Sequence, residues 1–139
     1  MMRLPRAFYS EDHEELLSWA REMGARLEAR GSFRDRFRQA GELGLAGLGV
    51  PEEYGGAGLP ARMSVAVVEA LSESSDDTGF LFALCAHNFA CALPIAVFGR
   101  CEQREKWLPG LVGGSLIGAF AVTEPEAGSD AMAGRASAQ

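Results

Sequence analysis

Two hydroxyls and three carboxylates crowd into one short run of the 139-residue chain, I-G-A-F-A-V-T-E-P-E-A-G-S-D at residues 117–130. Residues 117–123 are apolar, small and partly β-branched, which suits a buried or half-buried strand better than a helix so short. Pro125 pushes Glu124 toward extended geometry, Gly128 permits a turn of either hand, and Ser129 with Asp130 makes a good cap for a helix beginning at Ala131. A strand ending in the Thr123 hydroxyl, followed by a capped helix with free backbone N–H groups, can hold a polar ring at one point and an anion at the next. That chemistry fits a nucleotide cofactor. The same composition also serves a plain strand-to-helix turn, so the pattern alone leaves both readings open.

Other chemistries find less support. Thirteen basic against nineteen acidic residues give a net charge of −6, which leaves nucleic-acid binding without an electrostatic footing. Cys85, Cys91 and Cys101 form no C-x-x-C pair, and two of them sit in a strongly apolar stretch. Free thiols in a reducing compartment are expected, with no metal site. The G-G-A-G of residues 55–58 lacks the Gly-Lys-Ser/Thr of a phosphate loop and follows Glu52 and Glu53, so it reads as a tight structural turn. The N-terminus has no apolar run of the signal-peptide kind, and a cytoplasmic location is expected.

These groups must be positioned by helices. An apolar share of 47% supports one ordinary core. Ser10 is expected to cap a first helix with an acidic first turn and an apolar stripe of Leu16, Ala20, Met23 and Leu27, running to about Arg30. A second, at about residues 33–43, sets Phe33, Phe37, Ala40 and Gly44 on one side and arginines on the other. Residues 44–60 read as a Gly-rich loop. A third helix spans about residues 61–75, with Val65 and Val68 widening its apolar surface. Asp77 or Thr78 caps the next segment. Residues 79–98 carry no formal charge and reach the length of a membrane span, but His87 and Asn88 in the middle and Pro94 favour a buried pair of shorter helices joined near residues 87–88. A polar helix at about residues 101–111 turns Trp107, Leu108 and Leu111 inward, and Gly113 and Gly114 end it.

The T-E-P-x-A-G-S-D run at residues 123–130 resembles the flavin-binding signature of the acyl-CoA dehydrogenase family. The likeness extends to V-P-E-E-Y-G-G-A-G at residues 50–58, H-N-F-A-C-A-L-P-I at residues 87–95 and F-G-x-x-E-Q-x-E-K-W-L-P at residues 98–109, in family order and at family spacing. The resemblance implies an all-α N-terminal helical domain of that type, five or six helices over residues 1–116. Residues 117–139 would add a short terminal strand and the signature turn leading into a β domain. It also implies a FAD-dependent oxidoreductase of fatty acid metabolism that removes two hydrogens from Cα and Cβ of an acyl-CoA or acyl-carrier thioester. Phe120, Val122 and Thr123 would then face the flavin ring, and Gly128 and Ser129 the pyrophosphate. Ser129, Ala83, Ala86, His87 and Ala90 would meet the thioester ligand. The family's base and the rest of its flavin site belong to later domains, in the same or another chain. No carboxylate here is assignable as the catalytic base, and these residues alone are expected not to turn over. The family forms oligomers, so homo- or hetero-oligomeric assembly is expected, with no membrane or nucleic-acid partner. Relatives on the scaffold also include carrier-protein dehydrogenases, oxidases and hydroxylases, and a non-catalytic helical interaction module is a further alternative.

Overall fold

The structure is a computed structural model that describes residues 11–27 and 31–137. The expected Ser10 cap and the end of the first helix near Arg30 lie outside the described residues. Helix α1 (Glu11–Leu27) buries Leu17, Ala20, Met23 and Leu27, with Leu16 half-buried beside them. That stripe packs on α3 (Ala61–Glu73), which buries Met63, Ala66, Val67, Ala70 and Leu71. The contact is close because Gly24 faces the Leu71 carbonyl, where an added Cβ would sit 2.5 Å from the oxygen. Ser74 Oγ donates to the Arg21 carbonyl (2.5 Å), and Arg21 pairs with Glu73 (2.5 Å). Val65 is exposed, so α3 is buried along one stripe and not on several sides.

Helix α2 (Phe33–Glu42) starts at a capping box. The Asp35 N–H donates to Ser32 Oγ (3.3 Å), and the Ser32 N–H donates to the Asp35 carboxylate (3.0 Å), satisfying two orphan donors. Its arginines do not all face solvent. Arg36 turns into the core, donates from Nε to the Leu27 carbonyl (2.8 Å) and from Nη1 to Asp77 (2.6 Å), and lies over the Phe80 ring at 4.1 Å. An ion pair, a carbonyl and an aromatic face take the place of water around most of the guanidinium, while Nη2 has no hydrogen-bond partner among the described residues.

Residues 78–98 form one continuous helix, not the expected pair. It runs as α4 (Thr78–Cys85), a π-helical stretch (Ala86–Ala92) and α5 (Leu93–Phe98), capped by Asp77, which accepts the Phe80 N–H at 2.9 Å. In the wider turn the Leu93 N–H reaches back to the Asn88 carbonyl. This gives Pro94, which has no N–H and crowds the preceding turn, a place in a helix that does not break. The segment is long and apolar enough to cross a membrane by length and composition. Phe80, Leu81, Leu84, Ala92 and Ala96 are buried inside the domain, while Phe82, Val97 and Phe98 of the same helix are exposed.

Two short 3-10 turns, Leu45–Gly47 and Glu52–Tyr54, link α2 to α3. The 50–58 motif is a structural turn: the Gly58 N–H donates to the Val50 carbonyl and the Leu59 N–H to that of Leu48, at 2.9 and 2.8 Å. Helix α6 (Cys101–Val112) buries Leu108, Leu111 and Val112, while Trp107 is two-fifths exposed and not inward. After Gly113, Gly114 adopts φ +69° and lies so close to α2 that a Cβ would meet the Phe37 carbonyl oxygen at 2.0 Å. Two apolar clusters result, one shared by α1 to α4 and one by the π stretch, α5, α6 and Val50.

Candidate functional site

The central helix and the segment after α6 meet at one point. His87 is fully buried, and its ring packs edge-on to Phe37 with centroids 5.3 Å apart. Nε2 faces the Ala46 carbonyl at 3.1 Å, and the Gly118 N–H donates to Nδ1 at 2.9 Å. An N–H donor at one nitrogen and a carbonyl at the other fix the neutral tautomer with its proton on Nε2. Burial, the main cause, holds the imidazole below the usual histidine range, and the backbone contact at Ala46 opposes it. Both ring nitrogens face backbone, so His87 is a link in the frame.

Asn88 completes the frame. Its Nδ2 donates to the Leu45 and Leu84 carbonyls (2.9 and 3.0 Å), and its Oδ1 accepts the Leu48 N–H (2.9 Å). Adjacent residues of the π stretch thus grip the 45–48 turn on one side and Gly118 on the other. A glycine is needed at 118, because a Cβ would come within 2.5 Å of Cys91 Sγ. Sequence reading passed over Gly118 as one small residue in an apolar run; only the approach of the π stretch singles it out.

Beyond Gly118 the chain is open. Residues 119–123 have no regular structure, and the expected strand is absent among the described residues. A strand requires a neighbour to pair with, and the single bridge here joins Glu124 to Ala127 inside the signature turn itself. Phe120 and Val122 are exposed, as are Thr123, Gly128 and Ser129. Among the described residues no backbone hydrogen bond engages residues 120–123. The helix expected at Ala131 is one 3-10 turn (Ala131–Ala133) with Asp130 at its cap position and no side-chain capping bond, so Ser129 does not cap it. Ala83, Ala86 and Ala90 are half-buried on the central helix.

The two glutamates of the turn are held by structure. Glu124 accepts the Arg135 and Ala136 N–H groups, each at 2.8 Å, and these two bonds lower its pKa from the usual carboxylate value. Glu126 lies 3.5 Å from Arg135. Cys85 and Cys91 are half-buried free thiols and Cys101 an exposed one; among the described residues no group of His, Cys, Asp and Glu could hold a metal ion. An apolar groove of about 300 Å³ lies beside the site, lined by Cys91, Ile95, Trp107, Leu111, Leu116 and Ile117.

The comparisons with known proteins bear on this arrangement. The chain is 49% identical over 90 residues to the L-prolyl-[peptidyl-carrier protein] dehydrogenase of Pseudomonas fluorescens, covering 65% of this chain and 24% of that protein. It is 38% identical over 119 residues to the mitochondrial isovaleryl-CoA dehydrogenase of Bos taurus, covering 86% and 27%. The solved structure of PigA with FAD and proline superposes with a TM-score of 0.81 at 32% identity, over 93% of this chain and 35% of that one. The chain thus spans about a quarter of the length of these curated relatives. The model of the acyl-CoA dehydrogenase N-terminal domain matches residues 7–115, four helices and the central π-bearing helix among them, and the chain belongs to the acyl-CoA dehydrogenase family.

Proposed function

We propose that this chain forms one wall of a flavin and acyl-thioester site, in a FAD-dependent enzyme that dehydrogenates the thioester between Cα and Cβ. The observation that carries the reading is the segment at residues 120–123: it bears the start of the flavin signature, is anchored at Gly118, and beyond that point presents unpaired backbone groups to the outside. Such groups fit a flat heteroaromatic ring with donors and acceptors along its edge. PigA, similar in fold, is solved with FAD.

FAD, when bound, accepts the hydride equivalent. The chain's part is to hold and orient. Backbone groups of Phe120 and Val122, with the Thr123 hydroxyl, would bond the ring edge and favour the negative charge that reduction places there. Gly128 and Ser129 would meet the pyrophosphate, and Ser129 the thioester ligand as well. Ala83, Ala86 and Ala90 would leave room for the acyl group, with His87 behind them holding the frame. Removal of the α-proton needs a positioned base. Glu124 is committed to two backbone N–H groups and Glu126 lies in an ion pair with Arg135, so we assign that base to protein beyond these residues and expect the isolated chain to be inactive. Remaining dehydrogenase domains, in the same or another chain, and an oligomeric assembly belong to this reading, as does a place in cytoplasmic fatty acid metabolism.

A carrier-protein thioester is the second reading. It is supported by the 49% identity to a prolyl-carrier dehydrogenase, against 46% to a probable acyl-CoA dehydrogenase of Bacillus subtilis. Isothermal titration with FAD, of the chain alone and mixed with the products of neighbouring genes, tests the flavin site; uptake in none of the mixtures leaves only a helical interaction module. In an assembly that binds flavin, reduction by acyl-CoA or by a prolyl-carrier thioester decides the carrier. Thr123→Ala should weaken FAD binding or slow reduction by about tenfold, the size of one lost charge-assisted hydrogen bond. Unchanged affinity and rate would remove Thr123 from the site.

A further inference from the structure

We propose that His87 is a positioning residue for the flavin-signature segment: as a neutral imidazole it ties Gly118 to Ala46 and fixes the point at which residues 119–123 leave the helical core. Its Nδ1 accepts the Gly118 N–H at 2.9 Å, and its Nε2 faces the Ala46 carbonyl at 3.1 Å. The ring is fully buried and backed by Phe37, so it has no freedom to follow a displaced Gly118. Asn88, next in sequence, holds both flanks of Ala46 through Leu45 and Leu48, which makes the far end of the tie rigid. On the near end, Cys91 closes on Gly118 with no room for a Cβ.

From this anchor the chain runs to Thr123 with no further backbone bond among the described residues. A shift at Gly118 is therefore carried along residues 119–123, and hydrogen bonds to a ring edge lose most of their strength when displaced or misaligned by so much. The sequence places the fixed point two residues before Phe120 and five before Thr123. His87 touches neither ring nor substrate in this arrangement. It acts through Gly118.

This inference rests on the flavin reading, and its test separates the two. Asn at 87 places an acceptor near Nδ1, and Gln places a donor near Nε2. His87→Asn should therefore keep the Gly118 bond, while His87→Gln and His87→Leu lose it. Hydrogen exchange at the Gly118 amide, measured without flavin, is expected to stay slow in the Asn variant and to quicken by about tenfold or more in the other two. FAD affinity, measured in the full assembly, should follow the same order, with about a tenfold loss for Gln and Leu and rescue by Asn. Gly118→Ala, which leaves His87 intact but drives the segment off Cys91, should show the same loss of affinity and covers the case in which a His87 variant fails to fold. Equal losses in the Asn and Gln variants would mark His87 as merely structural and overturn the inference. So would wild-type FAD affinity in His87→Leu or Gly118→Ala, with the flavin reading left standing. An unsubstituted assembly that takes up no flavin overturns the flavin reading itself, and this inference falls with it.

Discussion

At the residue scale, the polar side chains that matter most are the ones turned away from water. Asn88 spends three hydrogen bonds on the 45–48 turn and its own helix, in a site where no solvent can replace them. Asn88→Ala strands the Leu48 N–H and the Leu45 carbonyl and should cost about 2–4 kcal/mol, read as a lowered denaturant midpoint at an unchanged slope. Arg36 was expected on the solvent side of α2 because arginines usually are. What overrode that expectation was Asp77 and the Leu27 carbonyl converging on it from two other helices, which helical spacing cannot show. His87 was legible as a hydrogen-bonded residue of the central segment. That its second partner would be Gly118, thirty-one residues on, was not.

At the scale of elements, periodicity located the helices and local chemistry set their ends. The stripe of α1, the cap at Asp77 and the stop at Gly113 and Gly114 follow from side-chain spacing and from which residues tolerate each backbone conformation. The capping box of α2 is also written locally, as Ser32 followed three residues later by Asp35. The continuous central helix is not. Pro94 and the polar pair at 87–88 suggested a break, and the π stretch absorbs both without one. Close helix contacts make a further prediction. Gly24→Ala puts a Cβ 2.5 Å from the Leu71 carbonyl oxygen, an atom of helical backbone that cannot rotate away. The gain in helix propensity should be outweighed by overpacking of about 1–3 kcal/mol, so thermal unfolding of the variant should begin at lower temperature. A raised midpoint would mean that α1 and α3 separate more easily than their packing implies.

At the scale of the whole molecule, acidification should loosen the fold in two stages. His87 has its folded-state pKa depressed from the ordinary value of 6.5, chiefly by burial. The unfolded chain therefore takes up this proton first, and the stability from a neutral His87 is complete above about pH 6.5 and is lost as pH falls below it. Cys91, the titratable side chain nearest its Gly118 partner, has a pKa raised by burial and stays protonated there. Asp77, Asp35 and Glu124 have lowered pKa values, caused first by the hydrogen bonds from Arg36, from Ser32 and from the Arg135 N–H. Their contributions are present above the ordinary carboxylate range and are lost at lower pH, as each folded-state value is passed. The measurement is the denaturant midpoint against pH. The upper stage, which sets in below about pH 6.5, should flatten in His87→Asn and persist in Asp77→Asn. An upper stage unchanged in His87→Asn would assign it to another group.

The sequence by itself determined the all-helical class, the positions of most helices, the family and the stretch most able to meet a cofactor, because each is written in local spacing or in an unbroken motif. Tertiary structure alone decided that the central helix runs through, that Arg36 goes inward, and that residues 117–123 stand without a strand partner among the described residues. These depend on which distant atoms come within hydrogen-bond or van der Waals reach. It also decided the meeting of His87 with Gly118, since a bond across thirty-one residues leaves no local trace until the helices between them have packed.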